Sequence, residues 1–124
     1  MNKILILGFH TINLVLIIFY LYPGSILGVF LYNDVTIQPQ ITRDFLISSN
    51  HFYAFIVLSI VGIIAYDKSK KINILIKYLV LASIFLEFLH FIIPNRNFQF
   101  SDLFGNFLGV ILIITFYKIK NKYV

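Results

Sequence analysis

Residues 72–117 read INILIKYLVLASIFLEFLHFIIPNRNFQFSDLFGNFLGVILIITFY. Two apolar runs flank one short polar segment that carries Pro94, Asn95, Arg96, Asn97 and Gln99. Each run is too long for a buried strand. The segment between them is too short for anything but a tight hairpin, so the two runs are predicted to be antiparallel helices side by side. The first run, residues 72–93, is long enough to cross a hydrocarbon layer of about 30 Å. The second, residues 102–118, has an apolar stretch of only 15 residues between Asp102 and Lys118. It spans if those two charges sit at the interfaces and the bilayer thins locally.

Two more runs lie upstream. Residues 4–22 would span roughly 28 Å as a helix. Lys3 resembles the charged start of a signal peptide, but no small-x-small cleavage site follows, and the run reads as a retained anchor. Residues 48–66 form the other run, and Asp67 to Lys71 make a short turn before residue 72. Pro23-Gly24 stops the first helix. Residues 26–32 are apolar but too short to cross, so they are expected to be interfacial or re-entrant. The fold class is therefore all-α, four transmembrane helices in one domain over residues 1–124.

Composition agrees. Of 124 residues, 60% are hydrophobic and 12% charged, and mean hydropathy is +0.91. So short a chain cannot hide that much apolar surface in a water-soluble core. A soluble enzyme and a soluble nucleic-acid-binding domain are excluded. The absence of cysteine excludes a disulfide scaffold, a thiolate zinc site and a thiol nucleophile.

Charge predicts the orientation. With four spans, Lys3, Lys68, Lys70, Lys71, Lys118, Lys120 and Lys122 share one side, and Lys77 snorkels to it. Only Arg43 and Arg96 face the other way. Basic loops stay in the cytoplasm, so both termini are expected there. Tyr20, Tyr22, Tyr53, Tyr66 and Tyr117 fall near helix ends, where an apolar ring with a polar tip suits the interface.

The remaining polar residues gather in the outer half. Asp34, Asp44, Glu87 and Asp102 are four of the five acidic groups, and His51, His90, Asn50 and Asn106 lie with them. A charge at membrane depth costs about 2.5–3.5 kcal/mol on insertion scales and needs a partner or a purpose. Ser83, Glu87 and His90 share one helix face, and Asp102, Gly105, Asn106 and Gly109 share another. The hairpin brings the two stripes to similar depth, with Glu87 about 10 Å below Pro94 and Asn106 about 6 Å below Asp102. His51 opens the second run on the same side. The expected result is a polar pocket with His51, Glu87, His90, Arg96, Asp102 and Asn106 as ligand-binding candidates, and with His51, Glu87 and Asp102 as acid–base candidates.

Each feature has a structural counterpart. Gly105-x-x-x-Gly109 is read as close helix packing rather than a ligand cradle. Glu87-x-x-His90 is half of a di-iron bundle motif that needs a second copy. His51, Glu87 and His90 form a two-histidine, one-carboxylate set, but no metal or other cofactor is assigned. His10 and Asn13 fit interhelical hydrogen bonds. Arg96 can bind an anion or bridge to Asp102.

Residues 85–117 resemble the VanZ-like family of small bacterial membrane proteins. The family pattern there is Glu-x-x-Gln, Pro-x-Arg, then Asp-x-x-x-Asn-x-x-Gly, matched by Glu87, Pro94, Arg96, Asp102, Asn106 and Gly109. His51-Phe52-x-x-Phe55 resembles the family's opening of the second helix, and Pro23 falls where a proline follows the first. His90 stands in place of glutamine, and Ser49-Asn50 in place of an Asp-Lys pair. The resemblance implies a bacterial cytoplasmic-membrane protein of the cell envelope, linked to low-level teicoplanin resistance. Two functions are consistent with the outer pocket. It binds a lipid head group, a lipid-linked cell-wall precursor or a glycopeptide, or it is a membrane-embedded acid–base enzyme on a lipid-linked substrate. A proton-coupled transporter fits a single four-helix unit less well.

Overall fold

A computed structural model of the protein describes residues 2–124. Helix α1 spans Lys3–Leu21, and the Asn2 side chain accepts a hydrogen bond from the Ile4 N–H at 3.0 Å to cap it. Pro23 and Gly24 end it. Gly24 has φ +112°, and a side chain there would run into Val35, so this reversal requires glycine. The short apolar run folds as helix α2, Ile26–Tyr32, capped by Ser25 Oγ accepting from Gly28 N–H at 2.9 Å. Helix α3 is Ser49–Tyr66, α4 is Ile72–Phe88 and α5 is Phe100–Tyr123.

The protein is all-α, and α1, α3, α4 (with the turn that follows it) and α5 are each long and apolar enough to cross a membrane. It is a small multi-span membrane protein. Ile74, Leu81, Phe85 and Phe116 are exposed, as side chains facing lipid would be. The inner seam is built from Phe9, Leu16, Phe55, Leu58, Leu79, Leu86, Val110 and Ile114. Helix α3 is central and packs on α1, α4 and α5.

Small residues set the closest approach. A Cβ on Gly105 would lie 2.8 Å from the Ser48 carbonyl oxygen, and one on Gly109 would lie 2.7 Å from that of Phe52. Backbone contact between α5 and α3 therefore leaves no room for side chains at these two positions. Toward the end that holds the termini, His10 Nε2 meets the Tyr66 hydroxyl at 3.0 Å, and the Tyr78 hydroxyl donates to Asn13 Oδ1 at 2.7 Å. These are the interhelical hydrogen bonds expected of His10 and Asn13.

Two boundaries differ from expectation. Helix α5 has 24 residues rather than the 102–118 span. Lys118, Lys120 and Lys122 extend it past the apolar zone because lysine is a good helix former, while the uncharged stretch between Asp102 and Lys118 stays at 15 residues. The third span is regular only to Phe88, and Leu89–Phe91 tighten into a 3-10 turn. Pro94 disfavours helical backbone just before it, and the tighter turn aims His90 inward.

Candidate functional site

Five of the six ligand-binding candidates converge at the end of the bundle opposite the termini. Helix α3 contributes His51, α4 and its 3-10 turn contribute Glu87 and His90, and α5 contributes Asp102 and Asn106. Glu87, His90 and Asn106 are buried, with His51 and Asp102 partly open.

Asn106 is the fixed point. Its amide nitrogen donates to the Ser83 carbonyl at 3.2 Å. A carbonyl oxygen only accepts, so the amide cannot be flipped, and Oδ1 must face the other way. There it accepts from the Tyr20 hydroxyl and stands 3.1 Å from His51 Nδ1. Nδ1 also lies 2.5 Å from the Tyr20 oxygen. With the Tyr20 proton directed at Asn106, both neighbours of Nδ1 are acceptors, and Nδ1 carries the hydrogen. The neutral imidazole then has its lone pair on Nε2, 3.7 Å from Asp102 Oδ2.

Glu87 and His90 form a second unit. His90 Nε2–H donates to the Tyr20 carbonyl at 3.0 Å, and Nδ1 faces Glu87 Oε1 at 3.2 Å. With Nε2 committed as donor, the contact between Nδ1 and Oε1 requires one shared proton. Oε1 also accepts from the Gln99 N–H at 3.1 Å. Oε2 has no hydrogen-bond partner although fully buried, and lies 4.0 Å from His51 Nδ1. His90 therefore has both nitrogens engaged, and the set of His51, Glu87 and His90 does not meet around one point. Asp102 takes the third corner instead.

Arg96 lies apart from this cluster. It donates from Nε to the Tyr22 carbonyl at 3.1 Å and from one Nη to the Phe19 carbonyl at 2.5 Å. Those are unpaired carbonyls at the end of α1, where a cation also opposes the helix dipole. This capping replaces the bridge to Asp102, which is not among the ion pairs of the described residues. Partial burial draws the Arg96 pKa down, and the acidic groups Tyr20, Glu87 and Asp102 oppose that shift.

No protein-family model matches the chain, and no curated protein or solved structure is significantly similar to it. The site is therefore understood from its own geometry.

A cavity of about 570 Å³ opens beside the cluster, between α1 and α3. Ile12, Val15, Leu16, Phe19, Ala54 and Val57 form its apolar length, while His51, Arg96, Gln38 and Asn50 stand at its polar end. The segment after α2 covers that end. Asn50 holds it, donating to the Pro39 carbonyl at 2.6 Å and accepting from Ile41 N–H at 3.0 Å. Asp44 Oδ1 accepts from the Ser49 N–H at 2.9 Å, so this acidic group serves the start of α3 rather than the pocket.

Tyr20 is the functional-site residue absent from the sequence candidates. It is buried, stacks on His90 with ring centroids 5.5 Å apart, and joins the two units. Its spacing from Phe9, Asn13 and Leu16 places all four on one face of α1, which is the signal that marks it as inward-facing.

Proposed function

We propose that the protein binds an amphiphile within the membrane, its apolar chain lying between α1 and α3 and its polar head reaching His51. The cavity supports this reading: a long, mostly apolar wall leads to an end where His51, Arg96, Gln38 and Asn50 gather, which is how a ligand with one tail and one head is recognised. The free nitrogen of Arg96 supplies positive charge at the mouth, favouring an anionic head.

On this reading the chain is a VanZ-like protein of the bacterial cytoplasmic membrane. Its polar end faces outward, and its ligand is a lipid head group, a lipid-linked cell-wall precursor or the lipophilic tail of a glycopeptide. Support comes from the motif residues Glu87, Asp102 and Asn106 meeting His51 at one end, and from the basic residues concentrated at the other. Expression in a teicoplanin-susceptible bacterium tests it. Tolerance rises with the native chain and not with Val57→Trp, which fills the cavity. Equal tolerance with both, at equal protein levels, contradicts it.

A second function is favoured by His51 Nε2, whose lone pair lies beside Asp102. Here His51 accepts a proton from a nucleophile at the head group, and Asp102 stabilises the imidazolium. Time-dependent conversion of the bound amphiphile, lost in His51→Gln, distinguishes the enzyme from the binder.

A further inference from the structure

We propose that His51, Glu87 and Asp102 bind one divalent transition-metal cation, for which Mn²⁺ is the probe. Each residue offers one ligand atom, and the three atoms lie within 4.8 Å of one another. Metal bonds of about 2.1 Å bridge donors up to about 4.2 Å apart, so an ion closes the set by small side-chain movements.

The observation that points to a ligand is Glu87 Oε2. It is a carboxylate oxygen with no partner in a residue that is fully buried. Such an atom at membrane depth is costly unless something positive meets it. Its sister oxygen is already fixed by His90 and by the Gln99 N–H. That is the arrangement of a ligating carboxylate held by outer hydrogen bonds, with one oxygen left for the ion.

His51 is prepared in the same way. Its Nδ1–H is held by Tyr20 and Asn106, leaving Nε2 with an available lone pair, the form in which histidine binds metals. Asp102 Oδ2 is the nearest carboxylate oxygen to that nitrogen, at 3.7 Å. Without an ion, that lone pair and the carboxylate can meet only through a shared proton.

Charge also favours a dication. Two carboxylates and a neutral imidazole balance it within the ligand set. One imidazole and two carboxylates suit ions of the Mn²⁺, Fe²⁺ and Zn²⁺ group. His51 is the one ligand of the three that also lines the α1–α3 cavity, so the ion binds beside that cavity and does not require it to hold an amphiphile.

The test uses tag-free full-length protein in nanodiscs, stripped with a chelator and titrated with Mn²⁺ under electron paramagnetic resonance. The expected result is saturable uptake of one Mn²⁺ per chain, with electron–nuclear coupling to a single imidazole nitrogen. Asp102→Asn and His51→Gln lose the uptake while retaining helix content, and His90→Ala weakens it by about 10–100-fold, as loss of an outer partner does. No saturable uptake by the native protein overturns the proposal, as does uptake without imidazole coupling or uptake unchanged in both variants. Mass spectrometry of lipid retained by the same samples reports on amphiphile binding separately.

Discussion

Asn106 Oδ1 stands 3.1 Å from His51 Nδ1, and the Ser83 carbonyl fixes the amide that presents it. Three helices thus settle which nitrogen of one histidine is free. Replacing Asn106 by leucine leaves the Ser83 carbonyl and the Tyr20 and His51 donors competing for fewer partners. Each badly satisfied buried group costs about 1–3 kcal/mol. Asn106→Leu is expected to lower the melting temperature in detergent and to weaken amphiphile retention, both measured on the same preparation.

Gly109 tests the packing beneath that network. A side chain there meets the Phe52 backbone, so Gly109→Leu forces α5 away from α3. The variant is expected to accumulate poorly and to melt at a lower temperature, as read by fluorescence-detected gel filtration after heating. Normal accumulation and stability would mean that the two helices do not touch at Gly109.

The four spans were legible because apolar runs of membrane length have few alternatives, whereas residues 26–32 were legible only as a segment too short to cross, and their helix was not. The length of α5 was not. Lys118, Lys120 and Lys122 mark the interface by charge and extend the helix by propensity, and only the first property ends a hydropathy run. The site was legible wherever a costly group needed a reason, as with Glu87 and Asp102. Tyr20 escaped because a tyrosine near a helix end already has an interfacial explanation. The role of Arg96 escaped because it depends on the α1 carbonyls, which come near it only in the folded chain.

Orientation is predicted from the basic residues at the end that holds the termini. Single cysteines at Ser69 and Gln99 would be exposed to an impermeant thiol reagent in turn. In intact cells the Gln99 position is expected to label, with the Ser69 position labelling only after permeabilisation. The reverse pattern would invert the protein and turn the His51 end toward the cytoplasm.

The central claim is that the α1–α3 cavity and the His51 cluster form one ligand site. Photolabelling of the protein in nanodiscs, with an anionic single-chain lipid carrying a diazirine at its tail, tests it most directly. Saturable labelling confined to the neighbourhood of Val15, Ala54 and Val57, and weakened in Arg96→Gln at unchanged fold, is the predicted result. Labelling spread evenly over lipid-facing residues such as Ile74, Leu81 and Phe116, and unchanged by excess unlabelled lipid, would contradict it.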